Sequence, residues 1–171
     1  IRRVLGQDVI LFKDDTYAFN RSLPYTWDRE RLGDLIKRIR QPADTVEHTR
    51  HLELALDLLR AGYLTDIQSE WAYVEHSRFA GQLRNMLLEL ADLYLQQGQG
   101  LLCLGLAREV LGLEPLLESA HRLVLQAYAV QHDPAGLAAQ YQQYREILEN
   151  EVGMLPSLEI RSLYEKLMNT I

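Results

Sequence analysis

Tyr94 and Tyr128 stand 34 residues apart, and the residues around them keep the same step: Leu83 with Leu117, Leu90 with Val124, Cys103 with Leu137, Ala107 with Tyr141. Thirty-four residues is the length of one helix–turn–helix unit in which small or apolar residues recur where paired helices touch. Such a unit cannot bury its own apolar face and must stack on neighbours, which makes a curved surface instead of a pocket. The chain therefore starts out as a binding scaffold. Stepping back 34 residues from Tyr94 lands on Arg60, so the first helical pair is out of register with the rest.

The local patterns agree with a stack of helices. Leu, Ala, Gln, Glu and Arg abound while β-branched residues are scarce, which favours helix. Leu32, Leu35, Ile36 and Ile39 follow the spacing of an amphipathic helix that Pro42 stops. A second helix runs from a cap at Asp44 to Arg60 with Leu52, Ala55, Leu56 and Leu59 on its buried stripe. Gly62 closes it, and residues 62–66 form a loop. A long helix then carries Trp71, Val74, Phe79, Leu83, Leu87, Leu90, Ala91 and Tyr94 as far as Gly98. Four more follow at about 101–112, 117–131, 134–150 and 157–170, broken at Pro115, Pro134 and the run Gly153 to Pro156. The expected fold is all-α, a tetratricopeptide-like stack of about seven helices. Of Trp27, Tyr63, Trp71, Tyr73 and Phe79, most are expected in the core.

The first twenty residues read differently. Val9 to Phe12 and Tyr17 to Asn20 are two short apolar, aromatic runs around a four-residue polar loop, Lys13 to Thr16, which is the pattern of a β-hairpin. Ile1 to Gly6 resembles the last turn of a helix stopped by glycine. A lone hairpin is marginal in water, so this end is expected to belong to an element whose body lies upstream. Residues 1–40 carry nine Lys/Arg against six Asp/Glu, a balance of +3, whereas residues 41–171 carry nine against eighteen, a balance of −9. The asymmetry fits either a nucleic-acid face at one end or a fluctuation in a short segment. No run approaches the ~20 apolar residues that span a bilayer, and no secretory leader pattern occurs. The single cysteine, Cys103, fits a reducing, cytoplasmic compartment.

Nothing in the sequence assembles into a catalytic site, and no cofactor or metal is expected. His48 and His51 share a helix face at a spacing that can hold a metal, but they lack an obvious third ligand and read as a solvated face. His121 falls at a packing position, and Cys103 among leucines reads as an inert thiol. Phosphate loops, nucleophile elbows and zinc-protease motifs are missing from the sequence. The Gln-rich stretch from Gln140 to Arg145 reads as a helix with one packed face and a polar face open to a partner.

Several phrases, in order, resemble a known family. They are Trp27-Asp28; the run from Leu54 to Asp66 followed by Trp71; Glu75 with Arg78; Glu118-Ser119-Ala120-His121-Arg122 with Tyr128; and Gln140-Tyr141 leading to Glu151-Val152-Gly153-Met154-Leu155-Pro156-Ser157 and on to Tyr164. Together they look like the bacterial transcriptional activator domain of the antibiotic regulatory protein family, a tetratricopeptide-like module that follows a winged-helix DNA-binding domain. The resemblance covers residues 25–171. Residues 1–22 resemble the end of such a winged helix, with the hairpin as its wing. Arg2, Arg3 and Lys13 would then sit where these domains approach DNA phosphates. The loop departs from the family pattern, since wings of this kind usually carry glycine before the tyrosine and here Asp14-Asp15-Thr16 stands instead. Two carboxylates would weaken the hold on phosphate.

The resemblance implies a protein-interaction and regulatory module of a cytoplasmic bacterial transcription activator. It would support self-association as a homodimer and contacts with RNA polymerase and its sigma factor, with DNA bound only through the upstream domain. The exposed polar positions of the last two helices, Gln142, Arg145 and Arg161, are the candidate partner face. One rival is a peptide-binding tetratricopeptide adaptor, for which the inner helices offer only Arg84, Asn85 and Arg122 as carboxylate ligands. The other is a small-ligand sensor, which would need a deep apolar cavity with convergent polar groups.

Overall fold

A computed structural model describes residues 9–41, 43–62, 67 and 69–171. The described residues form an all-α stack of seven helices preceded by a two-stranded hairpin. The strands are β1 (Ile10–Lys13) and β2 (Thr16–Phe19); the helices are α1 (Asp28–Ile39), α2 (Thr45–Arg60), α3 (Glu70–Gln96), α4 (Gly100–Leu113), α5 (Glu118–Val130), α6 (Pro134–Val152) and α7 (Leu158–Met168).

The hairpin is tighter than its polar loop suggests. β1 and β2 pair antiparallel from Ile10 with Phe19 to Lys13 with Thr16, which leaves a connection of Asp14 and Asp15 alone. Both have positive φ, 51° and 56°, as a two-residue turn matched to the strand twist requires. Aspartate tolerates that region better than most side chains, so two carboxylates can occupy the tip. The expected four-residue loop is thus a two-residue one, with Lys13 and Thr16 absorbed into the ladder. Leu11, Phe12, Tyr17 and Phe19 are all exposed.

The 34-residue step is reproduced in backbone detail. After α3, Gly98 adopts φ 73°, and after α5, His132 adopts φ 52° in the equivalent place. Gln99 N–H donates to Tyr94 O at 2.8 Å, and Asp133 N–H donates to Tyr128 O at 3.0 Å. Each tyrosine also reaches back to the preceding helix. Tyr94 Oη donates to Glu53 of α2 at 2.5 Å, and Tyr128 Oη accepts from Arg108 Nη2 of α4 at 2.5 Å. Consecutive helices pack in pairs, while α3 lies on α5 and α5 on α7. Local caps set the boundaries: Asp44 accepts from Glu47 N–H, Asp133 from Gly136 N–H ahead of Pro134, and Ser157 from Ile160 N–H. Gly153, at φ 65°, closes α6, with Met154 N–H returning to Leu148 O at 3.3 Å.

The aromatic expectation needs correcting. Trp27, Trp71 and Tyr73 are 44%, 57% and 73% exposed, Phe79 is half-buried, and Tyr63 lies outside the described residues. The small Ala72 is the buried residue at the start of α3. With 27 residues, α3 outruns the 16 of α2 and the 14 of α4, so its first turns exceed what those neighbours can cover. His48 and His51 also depart from a solvated face. His51 is buried, and His48 Nε2 lies 2.7 Å from Glu89 Oε1 on α3.

Candidate functional site

The family-like phrases at 118–122, 140 and 157 converge on one joint between α5, α6 and α7. His121 faces inward because Ala120, Val124 and Leu125 share the buried side of α5. Its Nε2 donates to Pro115 O at 2.8 Å, which fixes that nitrogen as the protonated one. Nδ1 then accepts from Gln140 Nε2 of α6 at 3.2 Å. The ring stacks on Tyr144 with centroids 3.8 Å apart. Burial pushes the His121 pKa below its ordinary value, against the Pro115 bond and the Glu118 charge. Both ring nitrogens are committed, so His121 is a packed neutral imidazole and not a base waiting for a substrate.

Glu118, in the first turn of α5, completes the joint. Ser157 Oγ donates to Glu118 Oε1 at 2.8 Å while accepting from Ile160 N–H at 3.2 Å, so one hydroxyl caps α7 and ties it to α5. Tyr144 Oη donates to the other carboxylate oxygen at 3.5 Å, and Arg122 stands 3.9 Å away. Burial, reinforced by Glu118, pushes the Tyr144 phenol up to about 12, so it stays a donor. Gln140 lies on the packed face of its Gln-rich helix, buried with its amide donating to His121 Nδ1.

The expected partner residues lie outside this joint. Gln142, Arg145 and Arg161 are exposed, with Gln142 bonded to Glu146 on its own helix at 2.8 Å. Among the described residues no hydrogen bond or ion pair brings the three together. Lys13 is exposed at the end of β1 beside the Asp14-Asp15 turn, with its carbonyl accepting from Thr16 Oγ1 at 2.8 Å. Arg2 and Arg3 lie outside the described residues. Of the basic residues that an adaptor groove would use, Arg84 is held by Glu114 at 2.8 Å and Arg122 stands beside Glu118. Cys103 is buried, and desolvation pushes its thiol up to about 11, leaving it unreactive at neutral pH.

Among the described residues, two concave regions stand away from the joint. An aromatic pocket of about 420 Å³ lies between hairpin and α1, lined by Phe19, Arg21, Tyr25, Thr26 and Trp27. A groove of about 570 Å³ runs between α2 and α4 over the end of α3. Arg60 of α2 spans it, donating from Nε and Nη2 to the Glu109 carboxylate of α4 at 2.9 and 2.6 Å.

Residues 28–168 match the family model of the bacterial transcriptional activator domain, and the chain belongs to that family. The matched segment begins on the first residue of α1 and ends on the last residue of α7, so the family unit is the seven-helix stack and the hairpin lies outside it. This is a regulatory domain of transcriptional activators and not an enzyme family. No curated protein sequence matches the chain. Among the described residues no helix is long and apolar enough to cross a membrane, and no cluster of His, Cys, Asp or Glu could hold a metal ion.

Proposed function

We propose that residues 25–171 form the protein-interaction and regulatory module of a cytoplasmic bacterial activator, mediating self-association and contacts with RNA polymerase and its sigma factor. The observation that carries the reading is the coincidence of the family unit with the whole seven-helix stack. The acidic balance of residues 41–171 favours basic protein partners over nucleic acid on this part. Residues 1–22 are the end of a winged-helix DNA-binding domain, with the hairpin as wing. Support for this is the hairpin itself, whose apolar side chains are exposed and which is too small to be stable alone. Lys13 at the wing tip, with Arg2 and Arg3, supplies the phosphate contacts. The packing is of the tetratricopeptide type, which leaves the outer faces of α6 and α7 for the partner.

The test is binding of the full-length regulator to bacterial RNA polymerase holoenzyme on promoter DNA, followed by interferometry. Reversing Arg145 and Arg161 to Glu should weaken polymerase recruitment about tenfold while DNA binding holds. Unchanged recruitment would remove that face, and no recruitment by the unaltered protein would remove the polymerase contact. In the same assay Lys13→Ala should reduce the salt dependence of DNA binding by about one phosphate contact.

A further inference from the structure

We propose that the groove between α2 and α4 docks an amphipathic helical segment of a partner protein, with apolar side chains on one face and Lys or Arg along its flanks. The surface is distinct from the one around Gln142, and the inference does not depend on that face or on the identity of the polymerase contact.

The first observation is that α4 is too apolar for its surroundings. From Gly100 to Ala107 it carries no charged residue, and a helix that is apolar on all sides belongs in an interior. Yet Leu101 and Leu102 are 72% and 50% exposed. Thirty-four residues on, the exposed Leu101 corresponds to the exposed and small Ala135, and Leu102 to Gly136, where the Tyr128 ring fills the space instead. Leucines at the same stations of the first unit mark an exposed apolar surface of the kind that partners cover.

The second observation is the shape and charge of the groove. Its floor is Leu56, Leu90 and Leu106, and its lining carries three carboxylates, Glu53, Asp57 and Glu109, against one guanidinium, Arg60. Arg60 and Glu109 neutralise each other, so Glu53 and Asp57 leave a balance of −2. Tyr94 holds the Glu53 carboxylate in place from below. A leucine floor under an acidic rim matches apolar anchors flanked by basic residues, and it repels the same helix with acidic flanks. Gly105 lies in the wall, and a Cβ there would meet nothing within 4 Å. The space is available to an incoming side chain and is used by none of the chain's own.

That open space supplies the test. The probes are two labelled helical peptides with leucine at i, i+3, i+4 and i+7, one with lysine and one with glutamate at the other positions, titrated against the whole chain by fluorescence anisotropy. The lysine peptide should bind saturably and the glutamate peptide at least about tenfold more weakly. Gly105→Phe changes no charge and its Cβ would meet no atom within 4 Å, so it should keep the melting temperature while weakening the lysine peptide about tenfold. Leu101→Ser should do the same from an exposed position. Glu53→Gln with Asp57→Asn should weaken binding several-fold and flatten its salt dependence. Arg145→Glu should leave peptide binding unchanged, which separates this surface from the proposed polymerase face. Equal binding of the two peptides, or indifference to Gly105→Phe and Leu101→Ser, overturns the proposal. So does sedimentation showing that a second copy of the chain fills the groove, as a dimer that Gly105→Phe dissociates.

Discussion

The two units that share the 34-residue step have the same turns and opposite exteriors. In the second, α5 and α6 are closed by α7: Glu118, His121, Gln140, Tyr144 and Ser157 satisfy one another in a joint that is largely shielded from water. In the first, α3 and α4 meet α2 over a buried leucine core, bridge its mouth with exposed polar pairs, Arg60 with Glu109 and Tyr94 with Glu53, and leave other leucines uncovered. One period therefore sets the backbone path, while the side chains at equivalent stations decide whether a unit is sealed or left open. Recognition should concentrate in the open unit.

The largest break in that comparison comes from His121. His121→Ala removes a buried ring stacked on Tyr144 and strands both Pro115 O and the Gln140 amide, which should cost about 3 kcal/mol in urea unfolding. Truncating the exposed Leu102 to Ala should stay within about 0.5 kcal/mol. The same ring should make the sealed unit sensitive to acid. Its folded pKa lies below the ordinary value of 6.5, so the fold favours the neutral form. The contribution is complete above pH 6.5. It falls as the pH drops below that value, because the unfolded chain then binds a proton the folded chain refuses, and it is lost as the pH passes through the lowered folded pKa. Urea midpoints at pH 7.5 and 5.5 should differ more for the native chain than for His121→Gln; equal differences would mean that other groups carry the acid response.

The next effect sharpens the comparison at one station. Gly136 and Leu102 are equivalent, but a Cβ on Gly136 would come within 2.5 Å of Tyr128 Cδ1, a ring that Arg108 holds in place. Gly136→Ala should therefore destabilise by about 2 kcal/mol despite its better helix propensity. A smaller effect, of opposite sign in the two units, belongs to the turns. His132→Gly should stabilise by about 1 kcal/mol by relieving a positive φ, and Gly98→Ala should cost about as much. Thermal melts of the two variants would settle this; shifts of the same sign would mean that the turns are not equivalent.

Helix positions were legible in the sequence because apolar spacing and caps such as Asp44, Pro134 and Gly153 report local structure. What covers a residue was not. Periodicity marks Leu101 and Trp71 as apolar, but their exposure depends on how far neighbouring helices reach, and that is a property of packing lengths. His121 was readable as a packing residue, whereas its demand for Gln140 was not, since the two lie 19 residues apart and the bond exists only once α5 and α6 are paired. The Asp14-Asp15 turn was hidden for a local reason: four polar residues do not disclose that the outer two sit in the ladder.

The smallest effect tests whether the open unit is held by charge at all. Arg60 and Glu109 make a two-pronged bond across the groove mouth, and the Glu109 bond pushes the Arg60 pKa further above its ordinary value. Both side chains are more than a third exposed, so solvent screens the pair and the coupling should be only about 0.5 kcal/mol. A double-mutant cycle of Arg60→Met and Glu109→Gln in low and high salt measures it directly. Coupling that vanishes in high salt fits an exposed clasp that can part for a guest. Coupling above about 2 kcal/mol that survives salt would put this bridge in the same class as the Glu118 joint, and the distinction between sealed and open units would fail there.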